Sequence, residues 1–131
     1  MPQHLFVYGT LRPQLAHGEA SALIAELEIV GSATIQGKLY DFGAYPGVTH
    51  EKGIVFGDLL RLTSTEQLSP LDAYEECNGH SPLFTRSITA AQSCVGTSIA
   101  AWIYLFSGRM ESGVLIASGD YQQYIRSRLI H

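Results

Sequence analysis

Apolar residues recur along this chain in two periods, and the alternation between them predicts the order of elements. Leu5-Phe6-Val7-Tyr8 follows His4 as an unbroken apolar run, the signature of a short buried strand over residues 4–8. In residues 19–27, Ala20, Leu23, Ile24 and Leu27 fall at helical spacing among good helix formers. Residues 28–42 read as two strands parted by Gly37, with Gly31 and Gly37 suited to the bulges that a small curved sheet needs. Gly43-Ala44-Tyr45-Pro46-Gly47 predicts a turn. Residues 53–62, 83–90 and 98–106 predict three further strands, with a helical region over 64–78 between the first two. The sum is an α+β fold: about six strands in a curled sheet or barrel, flanked by two or more short helices.

The region 64–78 places a charge where a charge is expensive. Ser64-Thr65-Glu66-Gln67 has the form of a capping box, with Ser64 at the N-cap and Gln67 three residues on. Ser69 is a second N-cap candidate, followed by Pro70 at a first helical position that tolerates proline. A stop is expected near Asn78-Gly79. At about 100° per residue, Tyr74 lies about 60° to one side of Leu71 and Glu75 about 40° to the other. Glu76 falls about 140° away, beside Asp72, on the face expected to be wet. Glu75 therefore joins Leu71 and Tyr74 in the apolar stripe. Desolvation there would raise a carboxylate's pKa towards the range of a general base. The alternative is a Glu at the stripe's solvated edge.

Composition narrows the partners. At 131 residues with no long polar linker, residues 1–131 are expected to form one domain around a single core. A net charge of −4 and eight basic residues, no two adjacent, argue against nucleic acid. The longest apolar stretch, Ile99 to Phe106, is far below the roughly 20 residues of a membrane span. Met1-Pro2-Gln3-His4-Leu5 lacks the basic and apolar regions of an export signal, so a cytoplasmic location is expected. Cys77 and Cys94 sit in no metal-like spacing and are expected to be free, buried thiols. The five histidines are scattered and read as surface residues. Arg86 alternates with Phe84 and Ile88, and could reach a pocket or pair with an acid. Trp102 and Tyr104 share a strand face, so the Tyr104 hydroxyl serves either a pocket or the core. Tyr45, held extended by Pro46, could direct its ring over a pocket mouth.

The first strand runs into Gly9-Thr10-Leu11-Arg12-Pro13, a break that offers consecutive backbone N–H groups to an anion. Tyr8-Gly9-Thr10-Leu11 together with Leu71-Asp72-Ala73-Tyr74-Glu75 resembles the gamma-glutamylcyclotransferase-like (AIG2-like) family. That family is marked by a strand-end Tyr-Gly-Thr/Ser-Leu loop and a catalytic glutamate in a Leu-Asp-x-x-Glu helix. The resemblance extends through Tyr45-Pro46-Gly47, Gly53-x-Val55-x-Gly57-x-Leu59, Phe84-x-Arg86 and Ala101-Trp102-x-Tyr104 to Ser118-Gly119-Asp120-Tyr121. Among small bacterial-type members it points towards the gamma-glutamylamine cyclotransferases. Relatives commonly have Gly after the glutamate, whereas Glu76 stands here.

The resemblance implies a cyclotransferase that releases 5-oxoproline from a γ-glutamyl amine or peptide. The substrate's own α-amine would attack its γ-carbonyl, with Glu75 as general base and then acid. It further implies that Tyr8, Gly9, Thr10, Leu11 and Tyr104 bind substrate, with Tyr45 and Arg86 as further candidates. The only partner implied is a small molecule, and neither metal nor cofactor is expected. A non-catalytic protein of the same fold that binds an amino-acid-like ligand is the other reading, and an intact Glu75 favours the enzyme.

Overall fold

The computed structural model describes residues 2–75 and 83–129. The chain runs β1 (His4–Val7), α1 (Glu19–Ala25), β2 (Glu28–Asp41), β3 (Pro46–Arg61), a 3-10 turn (Thr65–Gln67), α2 (Leu68–Tyr74), β4 (Phe84–Ser93), β5 (Ser98–Phe106), β6 (Val114–Leu115) and α3 (Tyr121–Leu129). The sheet order is β3-β1-β5-β4-β2-β6, and β2 also pairs with β3. Five strands therefore close into a barrel, with β6 as a short addition on the margin of β2. Most pairings are antiparallel; β1 runs parallel to β5, with Leu5 opposite Trp102. None of the described helices is long and apolar enough to cross a membrane.

Strand alternation divides the apolar residues between two clusters. Phe6 and Tyr8 of the β1 segment join Ile35, Leu39, Val48, Val55, Leu59, Ala91, Ala101 and Ile103, a set drawn from every barrel strand, and fill the interior. Leu5, Val7, Trp102, Tyr104 and Phe106 face the other way and pack against Ala20 of α1 and Leu68 and Leu71 of α2. Because β1 is covered on both faces, its residues form an unbroken apolar run rather than an alternating one.

Several boundaries differ from those read along the sequence. Residues 28–41 form one strand, not two parted by Gly37. The register shifts at Ile29/Gly31 and Gln36/Lys38, so both glycines mark bulges that bend a ladder without ending it. The strand expected from residue 53 begins at Pro46, because the turn closes earlier and β3 follows β2 for nearly its whole length. Ser64 caps the 3-10 turn in a full capping box with Gln67, and α2 continues directly from it. Ser69 is consequently inside α2 and caps nothing. The helix ends at Tyr74 with Glu75 as its C-cap; Asn78, Gly79, Glu76 and Cys77 lie outside the described residues. Cys94 is free but exposed, in the β4–β5 hairpin turn, and is not a core residue. β6 and α3 have no counterpart in the apolar pattern, because β6 is two residues long and α3 is largely polar.

Two buried side chains, Arg12 and Asp41, fasten the C-terminal segment to the barrel. Arg12, itself buried, donates from Nε to Asp58 at 2.8 Å and from an Nη to Asp120 at 3.1 Å. Asp120 also accepts from the backbone N–H of Gln123, in the first turn of α3. Asp41 on β2 accepts from the Tyr124 hydroxyl at 2.7 Å and from Arg128 at 2.9 Å. At Gly119, φ is +70°, and any Cβ would run into the carbonyl of Ile54, so this approach requires glycine.

Asp58→Ala would leave the Arg12 guanidinium buried without its closest partner. Urea unfolding is expected to show a loss of about 3 kcal/mol. The hydrogen bond to Asp41 is the largest cause that raises the Tyr124 pKa above its ordinary value of 10.0, followed by desolvation. The folded state thus holds that proton more tightly than the unfolded chain does. The resulting stability is complete below pH 10 and is lost as pH rises through the higher folded value. Chemical denaturation across this alkaline range is expected to show a shallower decline for Tyr124→Phe than for the parent chain.

Candidate active site

The break after β1 is a tight turn, closed by the Arg12 N–H donating to the Gly9 carbonyl at 2.9 Å. The buried Arg12 side chain just described pins its far end. Gly9 is buried, and a Cβ there would lie 2.5 Å from Cγ of Pro46. The glycine is thus required by the close approach of the β2–β3 turn. Tyr8 belongs to the barrel interior, where its hydroxyl donates to the Tyr104 carbonyl at 2.7 Å. That bond fixes the end of β1 against β5.

The last turn of α2 lies over this break. Leu71 anchors the helix in the outer core. Tyr74 brings its hydroxyl to 3.5 Å from the Thr10 hydroxyl, joining the helix to the loop. On the other flank Asp72 accepts from the Tyr104 hydroxyl at 2.7 Å and from Arg86 Nε at 2.9 Å. The Arg86 guanidinium carbon is 4.4 Å from the centre of the Trp102 ring. Glu75 follows, half-buried, with its N–H on the Leu71 carbonyl at 3.0 Å.

These elements enclose a cleft with about 370 Å³ of space free of protein atoms, partly open to solvent. Tyr8, Gly9, Thr10, Leu11, Tyr45, Glu75 and Tyr104 all line it, together with Phe6, Val7 and Pro46. Seven of the eight residues singled out in the sequence therefore meet at one cavity. Arg86 does not line it and is engaged with Asp72. Tyr45 stands in a ring cluster, with centroids 6.0 Å from Phe42, 5.8 Å from Phe84 and 6.2 Å from Phe106.

Asp72 is the main correction to the helical-wheel reading, which placed it on the wet face. It is part-buried because Arg86 of β4 and Tyr104 of β5 reach it on that flank of α2. A wheel registers only the helix's own apolar residues; here the neighbouring surface is polar. Arg12, Asp58 and Asp120 are not among the site residues read from the sequence. Arg12 and Asp120 stand in segments that carry the family resemblance, but neither segment shows that the two side chains meet.

A profile of the gamma-glutamyl cyclotransferase, AIG2-like family matches residues 5–123, and the chain belongs to that family. It is 35% identical over 127 residues to a Vibrio cholerae protein bearing the gamma-glutamylcyclotransferase name, covering 94% of this chain and 99% of that one. To the gamma-glutamylcyclotransferase family protein YtfP of Escherichia coli it is 30% identical over 119 residues, 89% of this chain and 94% of the other. The solution structure of E. coli YtfP is similar at a TM-score of 0.67 and 28% identity, covering 93% of this chain and 98% of that one. The crystal structure of YkqA from Bacillus subtilis gives a TM-score of 0.77 at 23% identity. It covers all of this chain, which spans 44% of YkqA. This last likeness is one of fold.

Gly9→Ala would force Pro46 and the loop apart. A loss of about 1–3 kcal/mol is expected in urea unfolding, the size of other overpacking substitutions.

Proposed function

We propose that this chain is a cyclotransferase that releases 5-oxoproline from a γ-glutamyl amine or γ-glutamyl peptide. The observation that carries the reading is the meeting of Glu75, from the end of α2, with the strand-end loop of residues 8–11 in one cleft. Family membership supports the activity class, and the cleft supports the assignment of residues within it.

The chemistry asks for few protein groups. The substrate's α-nitrogen attacks its own γ-carbonyl carbon and forms the ring C–N bond. The bond from that carbon to the leaving amine then breaks. Glu75 relays the two protons that the α-ammonium must lose on becoming the ring amide nitrogen: the first to the departing nitrogen as its bond to carbon breaks, the second to the released amine, which leaves as its ammonium, a shuttle for a single carboxylate. Holding the substrate folded does much of the rest, since near-attack geometry is worth roughly 7–11 kcal/mol in ring closures. Backbone amides of Gly9, Thr10 and Leu11 are the anchor for the α-carboxylate or for the oxyanion that develops on the γ-carbonyl. Tyr45 and Pro46 form the apolar wall against which the substrate lies.

The test is to incubate the protein with a panel of γ-glutamyl amines and peptides and to assay 5-oxoproline. Glu75→Gln is expected to lower release by roughly 10²–10⁴-fold with the fold intact by circular dichroism. Release that survives in this variant would remove Glu75 from the mechanism; no release by the parent from any member of the panel would remove the activity.

A further inference from the structure

Asp72 is bonded in a way that determines what the neighbouring tyrosine can offer a ligand. Arg86 Nε donates to Asp72 Oδ1 at 2.9 Å, pairing the guanidinium with the carboxylate. An ionised carboxylate only accepts. The Tyr104 hydroxyl, 2.7 Å from the same oxygen, must therefore be the donor. With its one proton held by Asp72, the Tyr104 oxygen can only accept elsewhere. Tyr104 is 3% exposed and lines the cleft together with Glu75. Its main chain is fixed by the Tyr8 hydroxyl on its carbonyl, and Arg86 is held by the face of Trp102 as well as by Asp72. The arrangement is rigid from both sides.

We propose that Asp72 is a positioning residue that fixes Tyr104 as a hydrogen-bond acceptor for the substrate's α-amino group, holding that nitrogen beside Glu75. This rests on the cyclotransferase reading and deepens it, by assigning the amine end of the substrate to the Tyr104 side of the cleft. The chemistry of the pair favours an amine over an oxyanion. An oxyanion needs donors, and Tyr104 has none left to give. An ammonium, and the neutral amine it becomes on losing a proton to Glu75, both keep N–H groups for an accepting oxygen. The helix makes the pairing automatic: Asp72 and Glu75 are three residues apart on α2, so one turn delivers both the orienting group and the base. Asp72→Asn puts an amide in the place of the acceptor-only carboxylate. Its NH₂ can donate to Tyr104 and release the tyrosine from its fixed role.

Binding separates this role from a merely structural one. In the Glu75→Gln background, which retains ligand without consuming it, calorimetry would compare γ-L-glutamylmethylamide with glutaric acid monomethylamide, the same molecule without its α-amine. Adding Asp72→Asn or Tyr104→Phe is expected to weaken binding of the amine-bearing probe by about tenfold to a hundredfold, the scale of one hydrogen bond to a charged group. The des-amino probe is expected to bind as before. The two substitutions combined should cost no more than the larger single loss, because they break the same contact. Equal weakening of both probes would assign Asp72 a structural role and overturn the proposal, as would unchanged binding of both. If the Glu75→Gln protein binds neither probe, the cyclotransferase reading fails, and this inference fails with it.

Discussion

The buried guanidinium of Arg12 is the constraint on which the site depends. It lies between Asp58 of β3 and Asp120 at the start of α3, and all three are withdrawn from solvent to differing degrees. A charge so placed is tolerated only when its partners are in register. The loop between Gly9 and Arg12 cannot relax without uncoupling that cluster. Its backbone is therefore set before any ligand arrives. Preorganisation of this kind would let the loop amides proposed as the anion anchor act without first being ordered.

The last turn of α2 is held with similar economy. Tyr74 reaches the loop on one side and Asp72 reaches β4 and β5 on the other, with Leu71 in the outer core between them. A helix of seven residues is too short to be stable alone. Its position comes from these tertiary ties, so the carboxylate at its end is aimed by the barrel rather than by the helix. The barrel contributes through β1, which is covered on both faces and brings the loop to the cleft.

Much of this was legible in the sequence where the signal was local. The run Leu5-Phe6-Val7-Tyr8 announced a buried strand, the Ser64–Gln67 capping box was read correctly from four residues, and β5 was bounded to the residue. The glycines of β2 suggest bulges from their spacing alone, and the ladder shifts register at both, although it does not end at Gly37. The phase of Leu71 and Tyr74 placed Glu75 towards the interior, and the structure puts it at the cleft. What stayed hidden depends on partners far away in the chain. Asp72 looks like a solvated residue until Arg86 and Tyr104 are seen beside it, and nothing near Arg12 hints at Asp120. The polar α3 gave no periodic apolar signal because it docks through only two tyrosines, Tyr121 and Tyr124, against the barrel cluster, and through the bonds of Tyr124 and Arg128 to Asp41.

The bond between Arg12 and Asp120 spans 108 residues. On a ribosome adding about 5–20 residues per second, those two groups are synthesised several seconds apart. For the first part of that interval the guanidinium of the strand-end loop has neither carboxylate to meet, and for the rest it has only Asp58, because α3 has not yet been made. Every growing chain therefore passes through a stage in which the barrel strands are present and the cleft is unfastened. The Arg12–Asp120 bond that ties the strand-end loop to the last segment forms only in the finished chain.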